Sequence, residues 1–292
     1  VAGEGYLTSK PDGEMILARQ RNLASTKLRM LDVFAGAGGL SYGFELTDLF
    51  QTTCGIDLLP AKIRTFHNNH PHAVAIAADV RTFPIKRLRS YAENPDIIVG
   101  GPPCQGFSSI RPFRNLTVGD RRNSLLEEFL LVVSEFRPKW FLFENVVGLL
   151  THRRGAALEA LIAGFKDIGY TVDWRGINAA LFGVPQNRER LFIVGNSAGQ
   201  AFRWPEPTHY AEYRSMAGSR QEVISVRPLL DRGLREIVTV MDAIHDLPLL
   251  EAGQESLHYR TDVELTEYES HMRDGSSRLT LHSATAHSNE ML

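Results

Sequence analysis

From Leu28 to Val194 the chain alternates short apolar runs with stretches of helical periodicity. Leu28–Phe34, Thr52–Ile56, Val74–Ala78 and Ile97–Val99 have the length and β-branched or large apolar content of buried strands. Helical spacing appears over Leu40–Leu46, Ala61–Asn68 and Asn123–Phe136. In the last, Leu125, Leu126, Phe129, Leu130, Val133 and Phe136 recur on one face, and Pro138 ends the pattern. Trp140–Phe143 reads as a fifth strand, Ala156–Ile168 as a further helix, and Thr171–Ile177 with Arg190–Val194 as a strand pair. Strands alternating with helices predict an open α/β sheet. The flanks are less regular. Residues 1–27 read as an arm or strand-like lead-in, residues 201–218 as an irregular connection, and Val238–Leu247 as a short helix stopped by Pro248.

Composition narrows the setting. The 292 residues are 43% hydrophobic and 23% charged, enough for one large domain or one and a half. No apolar stretch approaches a membrane span, and no signal peptide is visible. Two cysteines, Cys54 and Cys104, cannot build a disulfide framework and lack metal-ligand spacing, so no metal is expected and a reducing, cytoplasmic setting fits. A net charge of −2 gives no bulk attraction to nucleic acid, so a polyanion would need a local basic patch. The first residue, Val1, reads as the start of a processed or excised segment.

The chemistry collects at the ends of the predicted strands, where open α/β sheets bind ligands. After the first comes a glycine turn, Ala35–Leu40, opening a helix, a layout that lets backbone approach a ligand closely. Its spacing differs from the dinucleotide fingerprint. The second strand ends at Asp57, 21 residues after Gly36, where it could bind a ribose, cap the next helix, or both. The third ends at Asp79. The fourth runs into Gly100–Ile110, GGPPCQGFSSI, where Pro102 and Pro103 stiffen a turn that carries Cys104. That cysteine is either held out for reaction or packed as a small apolar residue. Beyond it, Arg111, Arg114, Arg121 and Arg122 form either a solvated face or a phosphate grip. Glu144, directly after the fifth strand, is a general acid candidate, or else a surface residue in a turn. Arg188 and Arg190 alternate, so in an extended segment both point to one face, to bind an anion or to pair with acids such as Glu189.

Four motifs, LDVFAGAGGLSYGFE, GGPPCQGFS, ENV and QNRER, stand in the order and at the separations of the C5-cytosine DNA methyltransferases, which the chain resembles from about Arg29 to Gly195. The resemblance implies a Rossmann-like S-adenosylmethionine-dependent methyltransferase fold, a mostly parallel twisted sheet with helices on both faces. It implies an arm over residues 1–27, a catalytic domain over 28–197, and a connecting segment over 198–292. S-adenosylmethionine would be bound by Phe34, Gly36, Gly38, Gly39, Leu40, Asp57, Asp79 and Pro103, with Asp57 on the ribose and Asp79 on the adenine amino group. Cys104 would add to cytosine carbon 6, Glu144 would contact N3, and Arg188 and Arg190 would orient Glu144 and hold the flipped nucleotide. Arg111, Arg114, Arg121, Arg122 and Gln186 would contact double-stranded DNA.

The resemblance also implies what is missing. Complete members continue into a target-recognition domain and C-terminal motifs that are not found here. The expected reading is either the catalytic subunit of a split enzyme, completed by a second polypeptide, or a piece of a longer chain, in both cases with weak or no methylation alone. The leading function is DNA cytosine methylation in prokaryotic restriction–modification. The alternatives are a tRNA cytosine methyltransferase and an inactive cofactor- or DNA-binding partner subunit.

Overall fold

The computed structural model describes residues 6–9, 14–18, 26–103, 125–214, 223–226 and 233–286. These form two compact units. The first holds residues 1–177, 190–204 and 216–221, and the second holds residues 178–189, 205–215 and 222–292.

The first unit is built on a nine-stranded sheet. Its strands are β1 (Tyr6–Ser9), β2 (Met15–Ala18), β3 (Leu28–Val33), β4 (Phe50–Asp57), β5 (Val74–Ala77), β6 (Ile97–Gly100), β7 (Trp140–Val146), β8 (Thr171–Asn178) and β9 (Glu189–Asn196). The spatial order is β1-β2-β5-β4-β3-β6-β7-β9-β8. The five central strands, β5 to β7, pair in parallel. The polar lead-in adds an antiparallel hairpin, β1–β2, along β5. At the other side β9 runs antiparallel to β7.

Helices α1 (Gly39–Glu45), α2 (Pro60–Asn69), α3 (Ile85–Ala92), α4 (Leu125–Phe136) and α5 (Ala156–Asp167) connect these strands. Alternate strand residues serve opposite faces, as the pleat requires. Leu31, Val33, Ile98, Phe141 and Phe143 form the main core with residues of α3, α4 and α5. Ala75 and Ala77 pack with Ile63 and Phe66 of α2 on the other side. There, Met30, Ile97 and Val99 meet Leu40 and Phe44 of α1. Over β6 and β7 that side carries an apolar groove of about 330 Å³ lined by Phe44, Phe50, Trp140, Leu142, Val194 and Phe202. Helices therefore sit on both faces of a mostly parallel sheet, as expected.

Several glycines leave room for large rings. A Cβ at Gly55 would lie 2.2 Å from Phe66, at Gly195 2.1 Å from Phe141, and at Gly100 2.8 Å from Phe129 and 2.4 Å from the Val33 carbonyl. Gly195 and Phe141 are direct cross-strand partners in β9 and β7.

The second unit contains a small sheet, β10 (His209–Arg214), β11 (Val223–Val226) and β12 (Arg235–Glu236), and two short helices, α6 (Val240–Ile244) and α7 (Glu267–Arg273). A strand thus occupies part of residues 201–218, which read as irregular from sequence. Pro205 and Pro207 obscured it by breaking the run just ahead. Both helices start on a full capping box, Thr239 with Asp242 and Thr266 with Glu269.

Candidate active site

The chain leaves β3 into the glycine turn through an unusual backbone. Phe34, Gly36 and Gly38 all have positive φ, at 62°, 57° and 85°. For Phe34 this costs about 1–2 kcal/mol, a strain that clusters at functional loops. The Gly36 N–H donates to Asp57 Oδ2 at 3.0 Å, tying the turn to the end of β4. Asp57 Oδ1 accepts from the Leu59 N–H at 3.0 Å. Asp57 does not cap α2, whose N-cap is Leu59 with no side-chain bond. Each of its oxygens keeps a second lone pair for a ligand hydroxyl. A Cβ at Gly36 or Gly39 would meet nothing within 4 Å, so the turn presents an open cradle. Phe34 packs against the main core, and Leu40 packs against the Met30 cluster.

Asp79 follows β5. Its carboxylate is gripped by the Arg81 guanidinium, through Nε at 3.0 Å and 3.2 Å and Nη2 at 2.7 Å, and accepts the Arg81 N–H at 3.0 Å. Sequence reading did not single out Arg81, two residues away, because an arginine in a polar loop carries no signal by itself.

Glu144 lies inside β7, not after it, since the strand continues to Val146. Its Oε1 is 3.1 Å from Arg190 Nε, and both side chains are about one-quarter exposed. The antiparallel register sets Arg190 opposite Val146, bringing the start of β9 to the carboxyl edge of β7. Glu144 Oε2 would be 3.1 Å from a Cβ on Gly101. The next residue, Asn145, is buried and donates from Nδ2 to the Pro102 carbonyl at 2.9 Å. ENV therefore contacts the double-proline turn directly. Pro102 is buried and Pro103 exposed. Cys104, Arg111, Arg114, Arg121 and Arg122 lie outside the described residues. Arg188 and Gln186 belong to the second unit. Arg188 is exposed and precedes β9, so only Arg190 of the pair sits in the strand. The Arg188 carbonyl accepts from Ala179, and its N–H donates to the Gln186 carbonyl, both at 2.9 Å.

Behind the glycine turn is a polar cluster that sequence reading missed. Ser41 Oγ is 2.6 Å from Asp32 Oδ2, 3.1 Å from the Gly38 carbonyl and 3.2 Å from His70 Nε2. His70 Nε2 is 3.1 Å from the same carbonyl, and Nδ1 is 2.9 Å from Glu45 Oε2. Glu45 Oε1 accepts from the Thr52 N–H at 2.7 Å. Burial pushes the Asp32 carboxyl up to about 7, against the Ser41 bond and His70. Burial is the largest single effect and acts against both charges of the His70–Glu45 pair. Their mutual bond and charge, with Thr52 on Glu45 and with Gly38 and Asp32 on His70, together outweigh it, lowering Glu45 and raising His70. A Cβ on Gly38 would lie 2.4 Å from His70 Nε2. Among the described residues no cluster of three or more His, Cys, Asp or Glu is placed to hold a metal ion. Nor is any helix among them long and apolar enough to cross a membrane.

The chain is similar to known proteins in sequence and in fold. A family described as C-5 cytosine-specific DNA methylase matches residues 28–288. The type II methyltransferase M.AgeI of Thalassovita gelatinovora is 37% identical over 268 residues, covering 88% of this chain and 60% of its own length. M.AquIA of Picosynechococcus, also a type II methyltransferase, is 37% identical over 233 residues, covering 75% of this chain and 89% of its own length. The crystal structure of a DNA modification methyltransferase encoded within an E. coli prophage superposes with a TM-score of 0.59 at 25% identity, over 83% of this chain and 63% of that one. The chain thus spans less than two-thirds of M.AgeI and of the prophage protein, but most of M.AquIA. The fold is that of S-adenosylmethionine-dependent DNA methyltransferases, and the chain belongs to the C-5 cytosine-specific DNA methylase family.

Proposed function

We propose that this chain is the catalytic part of a restriction–modification methyltransferase that methylates carbon 5 of cytosine in duplex DNA. The observation that carries the reading is the Glu144–Arg190 pair against Gly101, three residues before Cys104. Arg190 fixes a carboxyl at the sheet edge, where Glu144 would hold a proton at cytosine N3. The Cys104 thiolate would form a bond to carbon 6 and push the ring electron pair toward carbon 5. Loss of the carbon-5 proton would then return the pair and expel the thiolate. S-adenosylmethionine, when bound, would supply an electrophilic methyl group. The open cradle at Gly36 and Gly39 and the spare acceptor capacity of Asp57 fit its amino-acid and ribose parts. Phe34, Gly38, Leu40, Asp79 and Pro103 would complete that seat. Arg188 would join Arg190 on the flipped nucleotide. Arg111, Arg114, Arg121, Arg122 and Gln186 would contact DNA.

Sequence recognition would come from a further segment, in the same polypeptide or in a second one. The test is a covalent complex with 5-fluorocytosine DNA in the presence of the methyl donor, retained by the parent chain and lost in Cys104→Ser. Methyl incorporation into tRNA in place of DNA would overturn the substrate assignment. Normal turnover at a defined DNA site by these 292 residues alone would overturn the need for a further segment.

A further inference from the structure

Every group that meets the His70 ring nitrogens in plane can accept a hydrogen bond. Nδ1 faces a Glu45 oxygen at 2.9 Å. Nε2 faces the Gly38 carbonyl at 3.1 Å and Ser41 Oγ at 3.2 Å. The carbonyl has no hydrogen, so Nε2 must carry one. Ser41 has a single hydrogen and lies closest to Asp32, at 2.6 Å. With that hydrogen on Asp32, the ring N–H joins the Tyr42 N–H, 2.8 Å away, on the Gly38 carbonyl. The other neighbours are the Phe66 ring of α2 at 4.5 Å and the Tyr42 ring of α1 at 6.1 Å. The charged or titratable groups around the cluster are Glu45 on α1, Asp32 on β3 and, acting on Asp32, Asp57 on β4.

We propose that His70 is a positioning residue for the glycine turn. As a doubly protonated ring held by Glu45, it gives its second N–H to the Gly38 carbonyl and fixes the cradle in which the methyl donor would sit. This rests on the functional reading above only for the identity of the ligand. Three features make the turn depend on this bond. Gly38 stands at φ 85° as the N-cap of α1 with no side-chain cap of its own. Its α-carbon packs so closely on the imidazole that a Cβ there would overlap the ring. The turn's other side-chain anchors, the Gly36 N–H to Asp57 and the Asn69 amide to the Ala37 carbonyl at 2.9 Å, hold neighbouring residues and leave Gly38 to the ring. When the ring loses a proton and keeps Nδ1–H on Glu45, Nε2 turns a lone pair toward the Gly38 carbonyl. Two acceptors then face each other at hydrogen-bond distance, and the turn must move. Alkaline pH therefore loosens the cradle through one side chain that does not itself touch the ligand.

The experiment combines amide exchange at Gly38, Gly39 and Leu40, ring ¹⁵N resonances of His70, and calorimetric binding of S-adenosylhomocysteine, from about pH 6 to about pH 9. In the parent chain both ring nitrogens carry protons near neutrality. Above that, turn protection and affinity fall together, by about threefold or more. His70→Gln keeps an amide donor for Gly38 but carries no charge, so above the Asp32 transition at about 7 its affinity no longer changes with pH. His70→Ala loses turn protection throughout the range. A bare ring nitrogen near neutrality would overturn the proposal. So would a His70→Gln profile that follows the parent's, or unchanged turn protection in His70→Ala. If the parent binds no S-adenosylhomocysteine, the methyl-donor reading fails, while ring titration and amide exchange still decide the role of His70.

Discussion

Asn145 shows how much of a site depends on a side chain that performs no chemistry. Its amide spans from β7 to the Pro102 carbonyl and so fixes the turn that leads to Cys104. Asn145→Ala leaves that buried carbonyl unpaired, at a cost of roughly 1–3 kcal/mol. We expect urea unfolding to show that loss, and turnover to fall by about tenfold or more because the turn shifts. Gly101 offers a cleaner separation of geometry from stability. A methyl group there would come 3.1 Å from Glu144 Oε2, a contact that a side chain can relieve by moving. Gly101→Ala should keep stability within about 1 kcal/mol yet lower turnover by about tenfold. Equal losses of both would show that the glycine serves folding. Gly38→Ala is the opposite case, because positive φ and the His70 ring both resist it. We expect a loss of about 2 kcal/mol or more in the same unfolding assay.

At the scale of elements, β3 carries a carboxyl into an apolar layer, and this sets a pH dependence. The Asp32 carboxyl holds its proton up to about 7, well above its ordinary value of 3.8. The folded state therefore binds more protons than the unfolded chain between these values, so stability falls as pH rises across that window and levels off above it. The contribution is up to roughly 4 kcal/mol. Asp32→Asn should flatten this part of a pH–melting curve, and a slope unchanged by the substitution would remove Asp32 as its source. The strands that lead to Gly36, Asp57, Asp79 and Gly100 were legible from sequence because apolar runs stopped at turn residues. α3 was not, because only Leu88 and Ala92 of its eight residues are buried among basic neighbours. The extent of β7 was also hidden. Glu144 and Asn145 read as a turn, and their place in a strand depends on β9 arriving antiparallel from more than forty residues away. Asp32, Ser41 and Glu45 all lie within LDVFAGAGGLSYGFE, but the cluster left no signal of its own because His70 stands 25 residues beyond Glu45 and meets them only once α1 and α2 have packed.

At the scale of the whole molecule, the edge-of-sheet plan was legible, while the interior of the second unit was not. Among its described residues few apolar side chains are buried, and polar bonds link its two helices. Glu269 is buried between α6 and α7. Burial would raise its carboxyl, yet the N–H groups of Thr266 and Asp246, together with His245, bring it down to about 2. Its stabilising contribution is complete above about 4.5 and is lost as pH falls toward 2. Glu269→Gln should raise amide exchange across 240–273 already at neutral pH, while the β3–β7 amides keep their protection. Across the first unit, the close approach of Gly55 to Phe66, Gly100 to Phe129 and Gly195 to Phe141 has an evolutionary consequence. Neither member of such a pair can drift alone, since a larger residue at the glycine needs a smaller one at the ring. In an alignment of relatives the Gly55–Phe66 and Gly195–Phe141 pairs should covary, while Gly100, whose Cβ would also meet the Val33 carbonyl, should stay glycine, leaving a record of the packing in sequence divergence. Gly195→Ala with Phe141→Leu should then cost less than the two single changes added together.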